Sequence, residues 1–512
     1  MLPEAEILRI ARDLLYNRAM VYYQDKPIGT LAAIPQKTHA DVDGQLKVVG
    51  SNPDLNYHEV FIRDNIPTMV FFLLDGRADI MRRFLDTCLS LQSTHPQTAG
   101  TFPSSFTVEG DRLLGDYGQR AIGRVTSVDA TLWWPILAYV YVQRSQDEDW
   151  ARQPQVQNGL QRFLDLILHP GFRDAPTLYV PDGAFMIDRP MDVWGCPLEI
   201  QVLLYGALLS TAALIRLDLK TKEGWRADPF AQKQAWQIEQ VVNWARRLRR
   251  YLLKHYWVNT HTVQVLRRRP TEQYGDAISN EYNIQTETIP HWLQHWLGSR
   301  GGYLIGNVRT GRPDFRFFSL GNCLGAIFDV LSRAQQRALF SLILHNRGEL
   351  IAEMPLRICH PPLDDADWRN KTGYDPKNRA WCYHNAGHWP CLLWFLILAV
   401  LRHQQGSGPD FSLRSGWLYL PMQDLLQESY QKLLRRLPKQ KWPEYFDGPM
   451  GLWIGQQARL YQTWTVAGLL LAHHLLKVNP EDANVFNLPK LGSLYPGCQE
   501  EGDLSKVPKP SP

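Results

Sequence analysis

The sequence predicts an all-helical chain folded as one domain. Apolar residues recur at three-and-four spacing over long stretches, period-2 patterns are short and rare, and no Ser/Gly-rich linker divides the chain. A length of 512 residues would allow two or three domains as a soft prior, but nothing in the composition marks a boundary.

The elements follow in order. Glu4–Tyr23 carries early acids and an amphipathic spacing, so it is expected as an opening helix rather than a signal peptide, which needs a basic start and an unbroken apolar centre. Leu132–Arg144 is the next strong pattern. Pro197–Leu217 opens on a proline, whose missing N–H costs nothing in a first helical turn. Phe230–Trp257 holds the basic run "RRLRRYLLKHYW", in which Leu248, Tyr251, Leu252 and Tyr256 fit one buried face. The arginines then fit the solvated face, so the run is not taken as a nucleic-acid surface. Thr262–Leu266, "TVQVL", is a strand candidate. Trp389–His403 contains the longest apolar run, Trp389–Leu401, too short to span a bilayer and therefore a core helix. Trp417–Arg436 and Gln456–Leu476 complete the helical patterns. One domain is expected over 1–480. The end, 481–512, is Pro- and charge-rich with few core residues and is expected to be poorly ordered.

Composition excludes several function classes. The chain is 45% hydrophobic and 21% charged with a net charge of +4, which gives no reason to expect nucleic acid. Seven cysteines without a C-x-x-C suggest buried thiols in a reducing compartment rather than a disulfide frame or a zinc site, and a cytoplasmic location is expected. Two histidine pairs, His291/His295 and His384/His388, have helical metal-like spacing, but neither carries the Glu of H-E-x-x-H. No metal and no cofactor is expected. No phosphate-cradling loop and no G-x-S-x-G appears.

What remains are acids embedded in aromatic loops. Between the helices lie long segments rich in Gly, Pro, Trp and Asp, at 96–126, 180–196, 298–322, 360–390 and 440–456; long loops in a helical domain are usually functional. "HEVFIRDNIP" sets Arg63 beside Asp64, and "GRVTSVDATLWW" holds Asp129 before two tryptophans. "FMIDRPMDVWGCPLEIQ" brings Asp188, Asp192 and Glu199 into an apolar setting, and "WPEYFDG" does so for Glu444. Glycoside hydrolysis needs such material: one carboxyl kept protonated for the leaving oxygen, and a second ionised to activate water or attack carbon. An apolar surround raises the first by disfavouring its charge, while 18 Trp and 21 Tyr offer flat faces to sugar rings.

Taken together, "FIRDNIP", "AIGRVTSVDATLWW", "MIDRPMDVWGCPLEIQ", "GGYLIGNVRTGRPDFRFFSLGN", "YHNAGHWPCLLW", "WPEYFDG" and "IGQQARLYQTWTVAG" make the chain similar to the alkaline/neutral invertases, glycoside hydrolase family 100, most of all the cyanobacterial members. The resemblance covers roughly 1–480. It implies an (α/α)6 barrel whose long loops form the pocket at one end, and cofactor-free cytosolic hydrolysis of sucrose. Kinship with trehalases implies inversion at the glucosyl carbon. By resemblance Asp188 is the general acid and Glu444 the general base. Arg63, Asp64, Asp129, Arg189, Asn385 and Trp389 match positions that face the sugar, and Asp192 is a weaker acid candidate. Partners beyond the sugar are not implied: no nucleic acid, no membrane, with a homo-oligomer left open. "RVTSVDA" around Ala130, and Ala386 and His388 in "YHNAGHWP", depart from the common family pattern and bear on substrate and rate. The competing expectations are hydrolysis of another small α-glucoside, isomerisation of a sugar on a similar barrel, or a catalytically weak sugar-binding homologue.

Overall fold

The computed structural model describes residues 2–35, 57–120, 127–169, 176–180, 195–219, 228–267, 289–308, 313–406 and 411–494. Among the described residues, twelve helices have nine residues or more. They are α1 (Glu4–Asp13), α2 (Asn65–Leu74), α3 (Ala78–Ser90), α4 (Val128–Ser145), α5 (Pro154–Ile167) and α6 (Leu198–Leu219). Then follow α7 (Pro229–Tyr251), α8 (Ser319–Ile327), α9 (Arg333–His345), α10 (Leu393–Gln405), α11 (Phe411–Arg436) and α12 (Thr463–His473).

The even-numbered helices are apolar nearly all round, and nearly every residue of each is buried. A helix with that pattern has no face for water and must be surrounded. α1, α3, α5, α7 and α9 bury one stripe and keep a polar face outward. The buried helices touch in a circuit that returns to its start: α2 packs on α4, α4 on α6, α6 on α8, α8 on α10, α10 on α12, and α12 on α2. α3 lies against α2 and α4, α7 against α6, α9 against α10, and α1 and α11 against α12. By length and composition α6 is apolar enough to cross a membrane, but its apolar surface is buried against its neighbours.

The starts of the buried helices gather at one end. Arg63, just before α2, reaches Asp129 in the first turn of α4 at 3.3 Å. The carboxyl carbon of Glu199, in the first turn of α6, lies 3.3 Å from where a Cβ would stand on Gly321 of α8. Trp389, just before α10, meets Trp464 of α12 edge-on at 5.4 Å. At the other end Asp482 joins Arg144, in the last turn of α4, at 2.8 Å and His474, just past α12, at 2.6 Å.

Several expected boundaries move. The opening helix ends in a π-helical turn at Leu14–Arg18, after which β1 (Met20–Tyr23) and β2 (Lys26–Thr30) form a hairpin. Its turn residues Gln24 and Asp25 have φ 50° and 58°, the pair of left-handed residues a tight hairpin wants. "TVQVL" is not a strand: it lies in a helix, Thr260–Arg267, because the Asn259 side chain accepts from Thr262 N at 2.8 Å and captures the first turn. The strand is the preceding Trp257–Asn259. Gln456–Gln462 is loop, and α12 begins only at Thr463. The expected loose tail packs well beyond residue 481. The Phe486 ring lies 6.1 to 6.3 Å from those of Trp133, Phe328 and Trp394, and Leu488 and Leu494 are buried. Residues 495–512 lie outside the described residues.

Candidate active site

The loops at the helix-start end bring several of the expected acids together. Glu444 stands on the segment between α11 and α12, and that segment is tied to the strand of chain beside it. Tyr461 N donates to Lys441 O at 2.7 Å, Gln462 N to Trp442 O at 3.0 Å, and Glu444 N to Arg459 O at 2.8 Å. Thr465 Oγ1 holds Pro443 O at 3.0 Å. Lys441, Trp442, Gln457 and Tyr461 all have φ between 53° and 62°, a costly conformation for residues with a Cβ. Trp381, Tyr383 and Ala386 share it in the facing loop. Strain gathered around one carboxylate is the pattern expected where a side chain is being aimed.

Glu444 is buried, at 3% exposure. One carboxylate oxygen accepts from the Tyr57 hydroxyl at 3.2 Å, and the other from the backbone N–H of Arg459 at 3.3 Å. The Arg459 guanidinium covers the Tyr57 ring at 4.8 Å. Behind Glu444 is an aromatic wall. Trp389 stacks on Tyr445 with centroids 5.3 Å apart, and Tyr383 leans on both rings.

Asp64 shares this space. Its carboxyl is pushed up to about 7, chiefly by burial, and further by the charges of Glu444 and Asp129; Arg63 opposes the shift. Arg63 is the hub of the group, donating to Asp64 at 3.2 Å, to Asp129 at 3.3 Å and to Ser127 Oγ at 3.4 Å. Ser127 in turn donates to Asp129 through a short hydrogen bond. A carboxyl that is neutral below about 7 beside a carboxylate is a pairing suited to general acid and base work.

The remaining expected residues fall out as follows. Trp389 is fully buried and its indole N–H donates to Tyr383 O at 3.1 Å, so it forms the wall rather than an open platform. The Asn385 amide is engaged with the backbone of Leu363 in both directions, at 2.8 and 2.9 Å, and so braces the 360s loop. Asp188, Arg189 and Asp192 lie outside the described residues. The segment's two ends are pinned together, Gly195 N donating to Val180 O at 2.9 Å, and Cys196 N is held by Asn307 at 3.0 Å immediately before α6.

His388 does not face a cavity. It is wholly buried, its Nδ1 lies 2.6 Å from Met354 O, and burial together with the Arg357 charge pulls its pKa down to about 3. Among the described residues, no group of three His, Cys, Asp or Glu is arranged to hold a metal ion.

Sequence reasoning did not single out Tyr57, Ser127, Tyr383, Tyr445 or Arg459. No local signal marks Tyr57, since its partner Glu444 lies 387 positions away. Glu199, expected in an apolar setting, stands in the first turn of α6. It is buried with neither oxygen hydrogen-bonded, and burial pushes it up to about 7.

A family model described as alkaline and neutral invertase matches residues 12–480. The chain belongs to the alkaline and neutral invertase family. It is 36% identical over 473 residues to the alkaline/neutral invertase CINV1 of Arabidopsis thaliana, covering 90% of this chain and 78% of that one. It is 35% identical over 492 residues to cytosolic invertase 1 of Oryza sativa subsp. japonica, with 94% and 80% coverage. A mitochondrial neutral/alkaline invertase of the same rice is 37% identical over 501 residues, with 94% and 73% coverage. As a member of this family the chain is a glycoside hydrolase. Among solved structures, a wild-type glycosidase superposes with a TM-score of 0.50 at 11% identity, over 93% of this chain and 100% of that one. At that identity the likeness speaks for a helical glycosidase fold alone.

Proposed function

We propose that this family member hydrolyses sucrose to glucose and fructose by a single inverting displacement, with Glu444 as general base and Asp188 as general acid. The observation that carries the reading is Glu444 itself, a buried carboxylate positioned by the Tyr57 hydroxyl and the Arg459 N–H beside an elevated Asp64. These two donors hold the oxygens without neutralising them, which leaves the carboxylate able to take a proton from water. Asp188 gives its proton to the leaving fructosyl oxygen. Inversion asks for roughly 6.5–9.5 Å between the two carboxyls, enough for the attacking water. Arg63, Asp64, Asp129 and Arg189 read the glucosyl hydroxyls, while Asn385 and Trp389 shape the floor.

The closed circuit of buried helices, with partners packed outside it, supports an (α/α)6 barrel as the scaffold, in one domain. The rice relative named cytosolic supports a cytoplasmic location. No step in this scheme calls for a cofactor.

The reaction's stereochemistry tests the mechanism. In proton NMR during early turnover of sucrose, β-glucose should appear first and then mutarotate. α-Glucose appearing first would mean a double displacement, and Glu444 would not be the base. Asp188→Asn and Glu444→Gln keep shape and remove proton transfer, so each should lose at least about a hundredfold in kcat while still binding sucrose. Asp192→Asn should lose far less; the opposite ranking would move the acid to Asp192.

A further inference from the structure

The C-terminal turns of α11 and the loop leaving it carry a row of cations. Lys432, Arg435 and Arg436 follow one another at i, i+3 and i+4 on one face of the last turns, and Lys439 lies in the turn beyond. They line a groove of about 420 Å³ closed by Glu353 and Gln440. Like charges at this spacing repel, and a solvated helix face would normally intersperse acids. The acids that reach the face do not balance it. Glu428 pairs with Lys432 at 2.8 Å and also feels Arg347 and Arg435, and Glu353 acts on Arg436.

Arg436 shows what such a row ordinarily does. Its guanidinium donates to the carbonyls of Glu353, Gly451 and Leu452 at 2.7 to 2.9 Å and lies over the Phe446 ring, so it is committed to the hairpin formed by Phe446–Asp447 and Trp453–Ile454. Arg435 donates through its Nε to Gln431 O at 3.2 Å, and both Arg435 and Lys439 are exposed. Lys432 is engaged as well, donating to Ala352 O and pairing with Glu428, so the cations of the groove left to be accounted for are Arg435 and Lys439.

We propose that this groove binds a phosphate-type oxyanion, either inorganic phosphate or the phosphate of a small monoester, gripped by Arg435 and Lys439 with Lys432 and Arg436 behind them. A guanidinium and ammonium groups converging on one concavity are the donors such an anion needs, and the volume lies within the range of small-molecule sites. The site adjoins the loop that continues through Lys441 and Trp442 to Glu444. An anion bridging Arg435 and Lys439 therefore clamps the point from which that loop departs.

The test uses the full chain and does not depend on the sucrose reading. Thermal unfolding is followed by Trp fluorescence at fixed ionic strength while chloride is exchanged for inorganic phosphate, and in a second arm for glucose 6-phosphate. The expected result is a saturable rise in Tm that is absent in Arg435→Gln/Lys439→Gln. That variant should melt like the wild type without phosphate and keep its turnover. Should it fail to fold, Lys439→Gln alone should weaken the half-saturating concentration at least about fivefold, the loss of one charge-assisted contact. Saturation by the ester alone supports the proposal and identifies a monoester as the ligand. A response that does not saturate, or that is equal in wild type and variants, overturns it. So does inertness to both small anions with binding of polyglutamate, which would make the groove a contact for an acidic macromolecule.

Discussion

Replacing Asp64 by Asn should stabilise the protein at pH 8 and do much less at pH 5. The folded carboxyl sits at about 7 against an ordinary 3.8, so the folded state holds its proton more tightly than the unfolded state. Below about pH 4 both states are protonated and Asp64 costs nothing. As pH rises, the unfolded chain ionises first and gains free energy that the folded chain does not share. The cost grows until pH passes 7 and is constant above it. Between pH 5 and 8 the growth is about two pH units, or about 3 kcal/mol at 1.36 kcal/mol per unit. Asn cannot ionise, so the stability of Asp64→Asn relative to wild type should rise by that amount over the same window. A constant offset rides on this for the weakened Arg63 contact at 3.2 Å, but it does not change the slope. Urea unfolding followed by Trp fluorescence at pH 5, 6, 7 and 8 measures the difference. Glu444→Gln removes one of the charges that raises Asp64 and should flatten the wild-type slope in part. A difference between Asp64→Asn and wild type that stays flat from pH 5 to 8 would refute the reasoning. It would mean Arg63 keeps Asp64 ionised throughout.

Three further outcomes follow from the same structure. Glu199→Gln should raise stability above pH 7, because a carboxyl buried without hydrogen bonds and pushed up to about 7 is replaced by a group that never ionises; urea midpoints at pH 5 and 8 check it. Phe486→Ala should cost about 3–5 kcal/mol, as for other fully buried aromatic truncations, and a fall in Tm with unchanged KM is the expected signature. Sucrose hydrolysis should survive EDTA unchanged; loss with recovery on adding a divalent metal would show a ligand set in the chain.

α4, α6, α7, α10 and α11 were legible because burial leaves a pattern in the sequence, whereas α2, α3, α5, α8 and α9 were not among the expected helices. α6 was placed at Pro197–Leu217 and occupies Leu198–Leu219. The short strands were not: Val60–Phe61 is two residues long and pairs with the distant Ser105–Glu109, and Phe446–Asp447 is one arm of a local hairpin too short for alternation to show. The tail was misread for a related reason. A sparse set of apolar residues looks like a loose end in composition, but Phe486 has a prepared slot among Trp133, Phe328 and Trp394. Arg63, Asp64, Asp129 and Glu444 were singled out through the motifs that carry the family resemblance, and the fold brings them close together. Their grouping could not be read from spacing, because the hydrogen bond from Tyr57 and the field of Glu444 on Asp64 exist only once α2 and α12 lie side by side.

The distribution of acids along the fold has a physical logic. Asp64 precedes α2, while Asp129 and Glu199 occupy the first turns of α4 and α6. Burying carboxyls is expensive, and placing them at helix starts is the cheapest way to do it. Each start presents unsatisfied N–H groups and about half a positive charge, which favours the ionised form that burial opposes. A ring of buried helices with their starts at one end therefore collects these partial charges where acids are needed. The opposite end meets the need differently: Asp482 is paired with Arg144 and His474, and Phe486 fills the space between the helices. One end is thus neutralised and packed shut. The other keeps Asp64 and Glu199, each pushed up to about 7 by burial, at a cost in stability that Asp64→Asn and Glu199→Gln would recover.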